Sequence, residues 1–291
     1  MNFKKNIKEE VIREIKKLSW KIDSSEITDL LDFSIGIKTI ESPEEIEIGR
    51  SKLGGLPDLP EDVEWPSLNG RPFAFIGQIN LTDIKFSVKD NLLQQRGILY
   101  FFFSTSQSDY QLQSLEDLHK TIFYKGDLSD LKTIDYPLNY DEKAKFRASK
   151  VDFFEFYSLP SYNNYKIKNL NLCDEDEDLL FGANEIVHLA YNIENEVSHQ
   201  MLGNYNPVQN DINYWWAFQF LRLKNHDSNE STKDKIQEKE KDFVLLLQID
   251  LLDRIPLFDN FGTDGAIYYG ISKDDLKNEL FSKTKFVLQN A

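Results

Sequence analysis

At 291 residues and a net charge of −15, the chain is long enough for one large domain or two ordinary ones. It is also too acidic for a nucleic-acid backbone or an anionic membrane to be its main partner, since both repel such a surface. An apolar content of 41%, with 21 Phe and 13 Tyr, supplies a core and excludes wholesale disorder.

The first twenty residues are charged throughout and lack the apolar run of a secretory signal, and the single cysteine, Cys173, cannot close an internal disulfide. No apolar run approaches the ~20 residues of a membrane span. These features lead to the expectation of a cytoplasmic protein.

In chain order, Ile7, Val11, Ile15, Leu18 and Ile22 share one face of a predicted helix over residues 4–22, which should pack on the main body. A cap at Asp23-Ser24-Ser25 precedes a short second helix expected over 27–33. Residues 1–44 therefore read as an N-terminal helical extension to a main domain spanning 45–291. A brief strand at 46–48 enters a stiff loop containing Gly54, Gly55, Pro57, Pro60 and Pro66. The next strand starts at Phe73 after an Asn69-Gly70 turn. Strict alternation puts Phe73, Phe75, Gly77 and Ile79 on one face, and Ala74, Ile76, Gln78 and Asn80 on the other.

Further on, a short helix is expected over 112–119 and a strand over 153–157, stopped by Leu159-Pro160. Asn163-Asn164 and the acidic run 174–178 read as loops. A helical pattern extends from about 179 to 201, interrupted near Gly182. The stretch 214–223, YWWAFQFLRL, has a strand's composition. Residues 224–242, with Ile236 as their one large apolar side chain, read as an exposed linker. A turn over 262–265, an aromatic strand and a helix over 273–281 capped by Ser272 complete the chain.

Two of these strands are written twice. FAFIGQINL from Phe73 recurs 170 residues later as FVLLLQIDL from Phe243, and GILYFFFS from Gly97 recurs 168 residues later as GAIYYGIS from Gly265. Nearly equal offsets suggest an internal duplication with halves at 73–104 and 243–272. The predicted fold class is α+β, an internally duplicated mixed or antiparallel β-sheet with packed helices and an added N-terminal helix. The two halves are expected to meet about a pseudo-twofold axis, with the Gly-Pro loop and the His199 loop close together.

The combination G-G-L-P-x-L-P, W-P, F-x-F-I-G-Q-I-N-L and G-x-L-Y-F-F, with His199-Gln200-Met201-Leu202-Gly203, Val208-Gln209-Asn210-Asp211 and the C-terminal Q-I-D, G-x-x-Y-Y and S-K-D-D-L, resembles the YwqG-like proteins. These are a bacterial domain family of unknown function. The resemblance covers about residues 45–290 and implies a fold, not a reaction.

Catalytic signatures are missing. There is no G-x-S-x-G elbow, no phosphate loop and no H-E-x-x-H, and Cys173 sits among acids that disfavour a thiolate. Asp174, Asp176, Asp178 and Glu185 imitate a calcium loop, but Leu179 stands where the turn needs glycine. Neither metal nor cofactor is expected.

The candidate binding residues are His199, Gln200 and Asp211 in the middle motif, the repeated pairs Gln78 with Gln248 and Asn80 with Asp250, and Trp65 in the Pro-rich loop. The favoured reading is a non-enzymatic protein-binding module for a basic partner, in its sharpest form an immunity-type protein that neutralises a basic toxin. The alternative is a small-molecule binder or enzyme with a cleft between the halves.

Overall fold

A sheet that is apolar on both faces has to be covered on both, and this requirement organises the chain. The computed structural model describes residues 6–40, 45–86, 92–106, 117–193, 199–223, 229–251 and 264–290. Its strands are β1 (Asp32–Ile40), β2 (Lys52–Leu53), β3 (Asp58–Pro60), β4 (Ser67–Leu68), β5 (Arg71–Pro72), β6 (Ala74–Asn80), β7 (Ile98–Phe103), β8 (His119–Tyr124), β9 (Leu131–Thr133), β10 (Ser149–Ser158), β11 (His199–Met201), β12 (Phe243–Asp250), β13 (Gly265–Ser272) and β14 (Lys285–Asn290). The helices are α1 (Ile7–Ile15), α2 (Ser24–Thr28), α3 (Tyr165–Lys168), α4 (Asp174–Ala190), α5 (Ile212–Phe220), α6 (Glu230–Lys239) and α7 (Lys273–Lys277). The fold is α+β.

Ten strands form one sheet in the order β14-β13-β12-β11-β1-β10-β2-β6-β7-β8, and every neighbouring pair is antiparallel. The sheet curls until its ends meet. Thr284, just before β14, donates its hydroxyl to Thr121 Oγ1 of β8 at 2.8 Å, the Tyr269 hydroxyl of β13 donates to the Phe102 carbonyl of β7 at 3.0 Å, and the Phe103 and Phe286 rings stack. The result is a near-barrel with a filled interior, where Ile35, Leu53, Phe101, Met201, Leu247 and Tyr269 share one apolar cluster.

Three further clusters cover the outside. One joins β6 and β7 to the loops that follow β2, a second packs α5 and α6 on β12 and β13, and a third holds α1, α2 and α4 together.

Both long repeated strands carry a β-bulge. In β6 the register slips between Phe75 and Gly77, leaving Ile76 extra. In β12 it slips between Leu245 and Leu247, leaving Leu246 extra. One inserted residue exchanges the faces for everything beyond it. Gln78 therefore lies opposite Tyr100, on the same outer face as Phe75, and not across the sheet from it as strict alternation predicts. Gln248 lies opposite Tyr268 for the same reason.

Several local expectations are corrected. The helix expected over 27–33 is only Ser24–Thr28, and Phe33 already belongs to β1, whose Phe33, Ile35 and Ile37 point into the barrel. Residues 46–48 form no strand; Gly49 turns the chain there with φ +79°, and its N–H donates to the Asp58 carboxylate. The acidic run 174–178 is the first turn of α4, where carboxylates are favoured by the unpaired N–H groups, and Asp176 is buried with its Oδ1 accepting from Lys21 N–H at 2.7 Å. That helix continues through Gly182 and ends at Ala190, while His199–Met201 is a strand.

The YWWAFQF stretch is α5, not a strand. Asp211 caps it, and a helix apolar on every side fits between sheet and surface, with Trp216 lying over Gly270. The polar stretch read as an exposed linker contains α6, whose Thr232 and Ile236 are buried beside α5. The helix expected at 112–119 falls largely outside the described residues, and its last residue, His119, opens β8. Part of the turn at 262–265 also falls outside them. The strand over 153–157 and the Ser272 cap are as predicted, with β10 longer at both ends and α7 shorter than the expected helix. Among the described residues no helix is long and apolar enough to cross a membrane.

Two glycines make opposite predictions. A Cβ on Gly270 would sit 2.2 Å from the Trp216 ring, so Gly270→Ala should destabilise by about 1–3 kcal/mol through overpacking. Gly182, inside α4, meets nothing within 4 Å, and Gly182→Ala should stabilise by about 0.5–1 kcal/mol. Urea unfolding midpoints of the two variants check both signs.

Candidate functional site

The bulge in β6 aims Gln78 at the loop that leaves β2, and there the amide is wholly used. Its Oε1 accepts from Asp58 N–H at 2.9 Å, and its Nε2 donates to the Arg50 carbonyl and to Asp58 Oδ2 at 2.7 Å. The Tyr100 hydroxyl donates to the Asp58 carbonyl at 2.6 Å, so both backbone polar groups of Asp58 are held by sheet side chains. The Asp58 carboxylate, 0% exposed, also receives Gly49 N–H, the Thr133 hydroxyl and the Lys52 ammonium at 2.9 Å. Lys52 is itself buried. Asn80 closes the cluster, taking Ser51 Oγ on its backbone N–H at 2.9 Å and giving Nδ2 to the Gly49 carbonyl.

The second long strand meets its loop in the same way. Gln248 Oε1 accepts from Asn206 N–H at 2.9 Å, and the Tyr268 hydroxyl donates to the Asn206 carbonyl at 2.8 Å. Asp250 N–H donates to His199 Nδ1 at 3.1 Å, as Asn80 N–H does to Ser51 Oγ. Both preceding loops turn through two consecutive residues of positive φ, Gly54 and Gly55 at +64° and +70°, Leu202 and Gly203 at +58° and +69°. At Gly203 the angle and the space both demand glycine, since a Cβ would fall 1.7 Å from Ser34 Oγ. The chemistry differs in one respect. Where Lys52 pairs with a carboxylate, Gln200 gives its Nε2 to the Leu202 and Asn204 carbonyls.

His199 is 1% exposed, and because its Nδ1 accepts a backbone N–H, the imidazole is set as the Nε2–H tautomer. Gln78, Gln200 and Gln248 are each at most 4% exposed. Trp65, the candidate binding residue of the Pro-rich loop, is half-buried. Its Nε1 donates to the Phe73 carbonyl at 2.8 Å, and its ring meets Phe102, Tyr136 and Tyr140.

The expected single cleft is not formed by these residues. β2 runs parallel to β1 and β11 runs antiparallel to it, so the Gly-Pro loop and the His199 loop leave opposite ends of the sheet. The strands themselves are three sheet spacings apart, about 14 Å. Gln78 and Asn80 belong to one loop clamp, and His199, Gln200, Gln248 and Asp250 to the other.

Asp211 stands apart from both as the cap of α5. Its Oδ1 accepts from the Tyr205 hydroxyl at 2.5 Å and from Asn213 N–H at 2.8 Å, and burial raises its pKa. Near it, burial first and the Asp211 charge second push the Glu240 carboxyl up to about 7. Sequence reasoning missed Glu240, Lys52, Asp58 and Asn206. Lys52 and Asp58 lie within the Gly-Pro motif, so their closeness in sequence was a usable signal. Glu240 lies in a run of alternating charges that gives none.

The helices frame two concave features. A groove of about 480 Å³ runs between α4, the end of β10 and the loop after β11, and includes Gln200 and Asn204 in its floor. A cavity of about 460 Å³ lies among α3, α5 and α6. Along α4 the exposed ridge bears Asp178, Phe181, Glu185 and Leu189, with Phe181 71% and Leu189 78% exposed. Among the described residues no three His, Cys, Asp or Glu side chains are grouped to hold a metal ion.

Removing the Asp58 carboxylate strands Lys52 in the interior. Asp58→Ala should therefore cost about 3–5 kcal/mol, against about 1–3 kcal/mol for Gln248→Ala in the uncharged counterpart, measured by urea unfolding. Glu240 predicts a pH effect. With its folded pKa raised from 4.5 to about 7, the folded state holds a proton that the unfolded chain releases, so the stability this group contributes is complete at low pH and lost as pH climbs through 7. Glu240→Gln removes that loss. Its melting temperature minus that of the wild type should increase between about pH 5 and pH 8.

No curated protein matches the chain. A family profile does match over residues 51–289, a span that takes in both loop clamps and both long bulged strands. The chain belongs to this family, DUF1963, which is described as a domain of unknown function.

Proposed function

We propose that the chain is an internally duplicated, non-enzymatic binding module that takes a basic, apolar segment of a partner protein in the groove beside α4. The YwqG-like resemblance is compatible with the DUF1963 membership. Duplication is supported by the repeated clamps, by the two bulges and by the order of the sheet. From the central pair of β1 and β10 it reads β11, β12, β13, β14 one way and β2, β6, β7, β8 the other. The pseudo-twofold axis then passes between β1 and β10. The repeated residues are saturated, and amides and a carboxylate that already hold loop backbones have little left to offer a substrate.

The observation that carries the binding reading is the ridge of α4. Phe181, Leu189 and, across the groove, Tyr162 expose large apolar surface beside Glu177, Glu185 and Asp178, with 71%, 78% and 53% of the three apolar residues exposed. A surface that is apolar and acidic at once complements a segment that is apolar and basic, and the net charge of −15 would speed its approach. An immunity-type protein that binds a basic toxin is one form of this activity. The cytoplasm remains the proposed location.

Fluorescence anisotropy with labelled peptides alternating Lys or Arg with Leu or Phe tests the reading. Binding should weaken about tenfold or more in Phe181→Ala and in the charge reversal Glu185→Lys, and should fall as salt is raised. Peptides bound equally by wild type and both variants, or ignored by all three, would sink it.

A further inference from the structure

The cavity among α3, α5 and α6 shares no lining residue with the groove beside α4. Its wall carries the carboxylates Asp211 and Glu240, the ammonium groups of Lys168 and Lys233, and the rings of Tyr214 and Trp215. At about 460 Å³ it has the size of a small-molecule pocket.

Asp211 is 6% exposed, and two hydrogen bonds to its Oδ1 fix the plane of the carboxylate. Its Oδ2 is buried and makes no hydrogen bond of good geometry, although the Tyr165 backbone N–H lies near enough to the carboxylate to help hold its pKa down. Asn213, 2% exposed, repeats the pattern. Its Nδ2 donates to the Glu240 and Phe243 carbonyls, while its Oδ1 is buried without a partner. Folded proteins seldom leave buried acceptors without donors. Asn213 is not part of the cavity wall, so the acceptor there that lacks a well-placed donor is Asp211 Oδ2, and Glu240 in the same wall adds a second carboxylate.

A donor held between carboxylates and beside aromatic rings is best supplied as an ammonium. A simple cation, however, would share the cavity with Lys168 and Lys233, which repel it. A ligand that also brings a negative group uses all four charges. We infer that this cavity binds a small zwitterion of the α-amino-acid class, its ammonium on Asp211 and Glu240 and its carboxylate toward Lys168 and Lys233. The site is independent of the α4 groove, so either can fail without the other.

Thermal shift followed by calorimetry on the full chain, with a panel of L-amino acids, putrescine as an amine without a carboxylate, and succinate as the reverse, tests the assignment. At least one amino acid should raise the melting temperature, with an affinity reduced about tenfold or more in Asp211→Asn, Glu240→Gln and Lys168→Met, and both controls should bind more weakly than it. Silence across the panel would mean that water alone fills the cavity, and would overturn the inference. So would putrescine or succinate binding as tightly as the best amino acid, or a shift that the variants leave unchanged. Because Asp211 also caps α5, the Glu240 and Lys168 variants carry the test if Asp211→Asn does not fold.

Discussion

The fold depends on how a buried amide and a tyrosine hydroxyl together hold one loop residue by its backbone. At Asp58 and again at Asn206, a Gln side chain takes the N–H and a Tyr hydroxyl gives to the carbonyl. A loop laid across a sheet buries backbone groups that can no longer reach water, and each must find a partner. The β-bulges are what make this possible. Without the extra residue at Ile76 or Leu246, the Gln side chains would point into the apolar interior, where an unpaired amide is costly.

With the loops pinned, the outer face of the sheet is divided into territories. One end is covered by the Gly-Pro loop and its ion pair, the other by α5 and α6, and α1, α2 and α4 lie together as a third layer. Among the described helices, α4 in this last layer leaves its large apolar side chains most open to solvent, at Phe181 and Leu189. The interior of the near-barrel is filled by buried side chains, and both the groove and the cavity described above arise where helices meet loops.

The two loop clamps use similar geometry with different electrostatics. The first seals a full ion pair, Lys52 with Asp58, which contributes mainly by what would be lost on breaking it. The second is neutral at the clamp itself and carries its charge nearby, where burial and, after it, the Asp211 charge disfavour ionisation of Glu240. Saturated charge suits a fixed anchor.

What the sequence by itself determined were the features that repeat or punctuate locally. The paired strands and their matched Gln and Tyr positions, the amphipathic Val11 and Ile15 face, the Ser272 cap and the stop after β10 were all legible. So was the pairing of Gln78 with Gln248. The tertiary structure decided whatever depends on neighbours far away in the chain. YWWAFQF has a strand's composition, but a capped position between sheet and α6 lets a helix bury Trp216 and Ala217 on the sheet. DFSIGIKTI pairs with β10 and β11, more than a hundred residues away, and no local signal announces that. One bulged residue reverses a face without altering the pattern that precedes it. The direction of β11 against β2, which separates the two loops, is a property of the whole sheet order. Periodicity records which side of an element is apolar; only packing determines what that side meets.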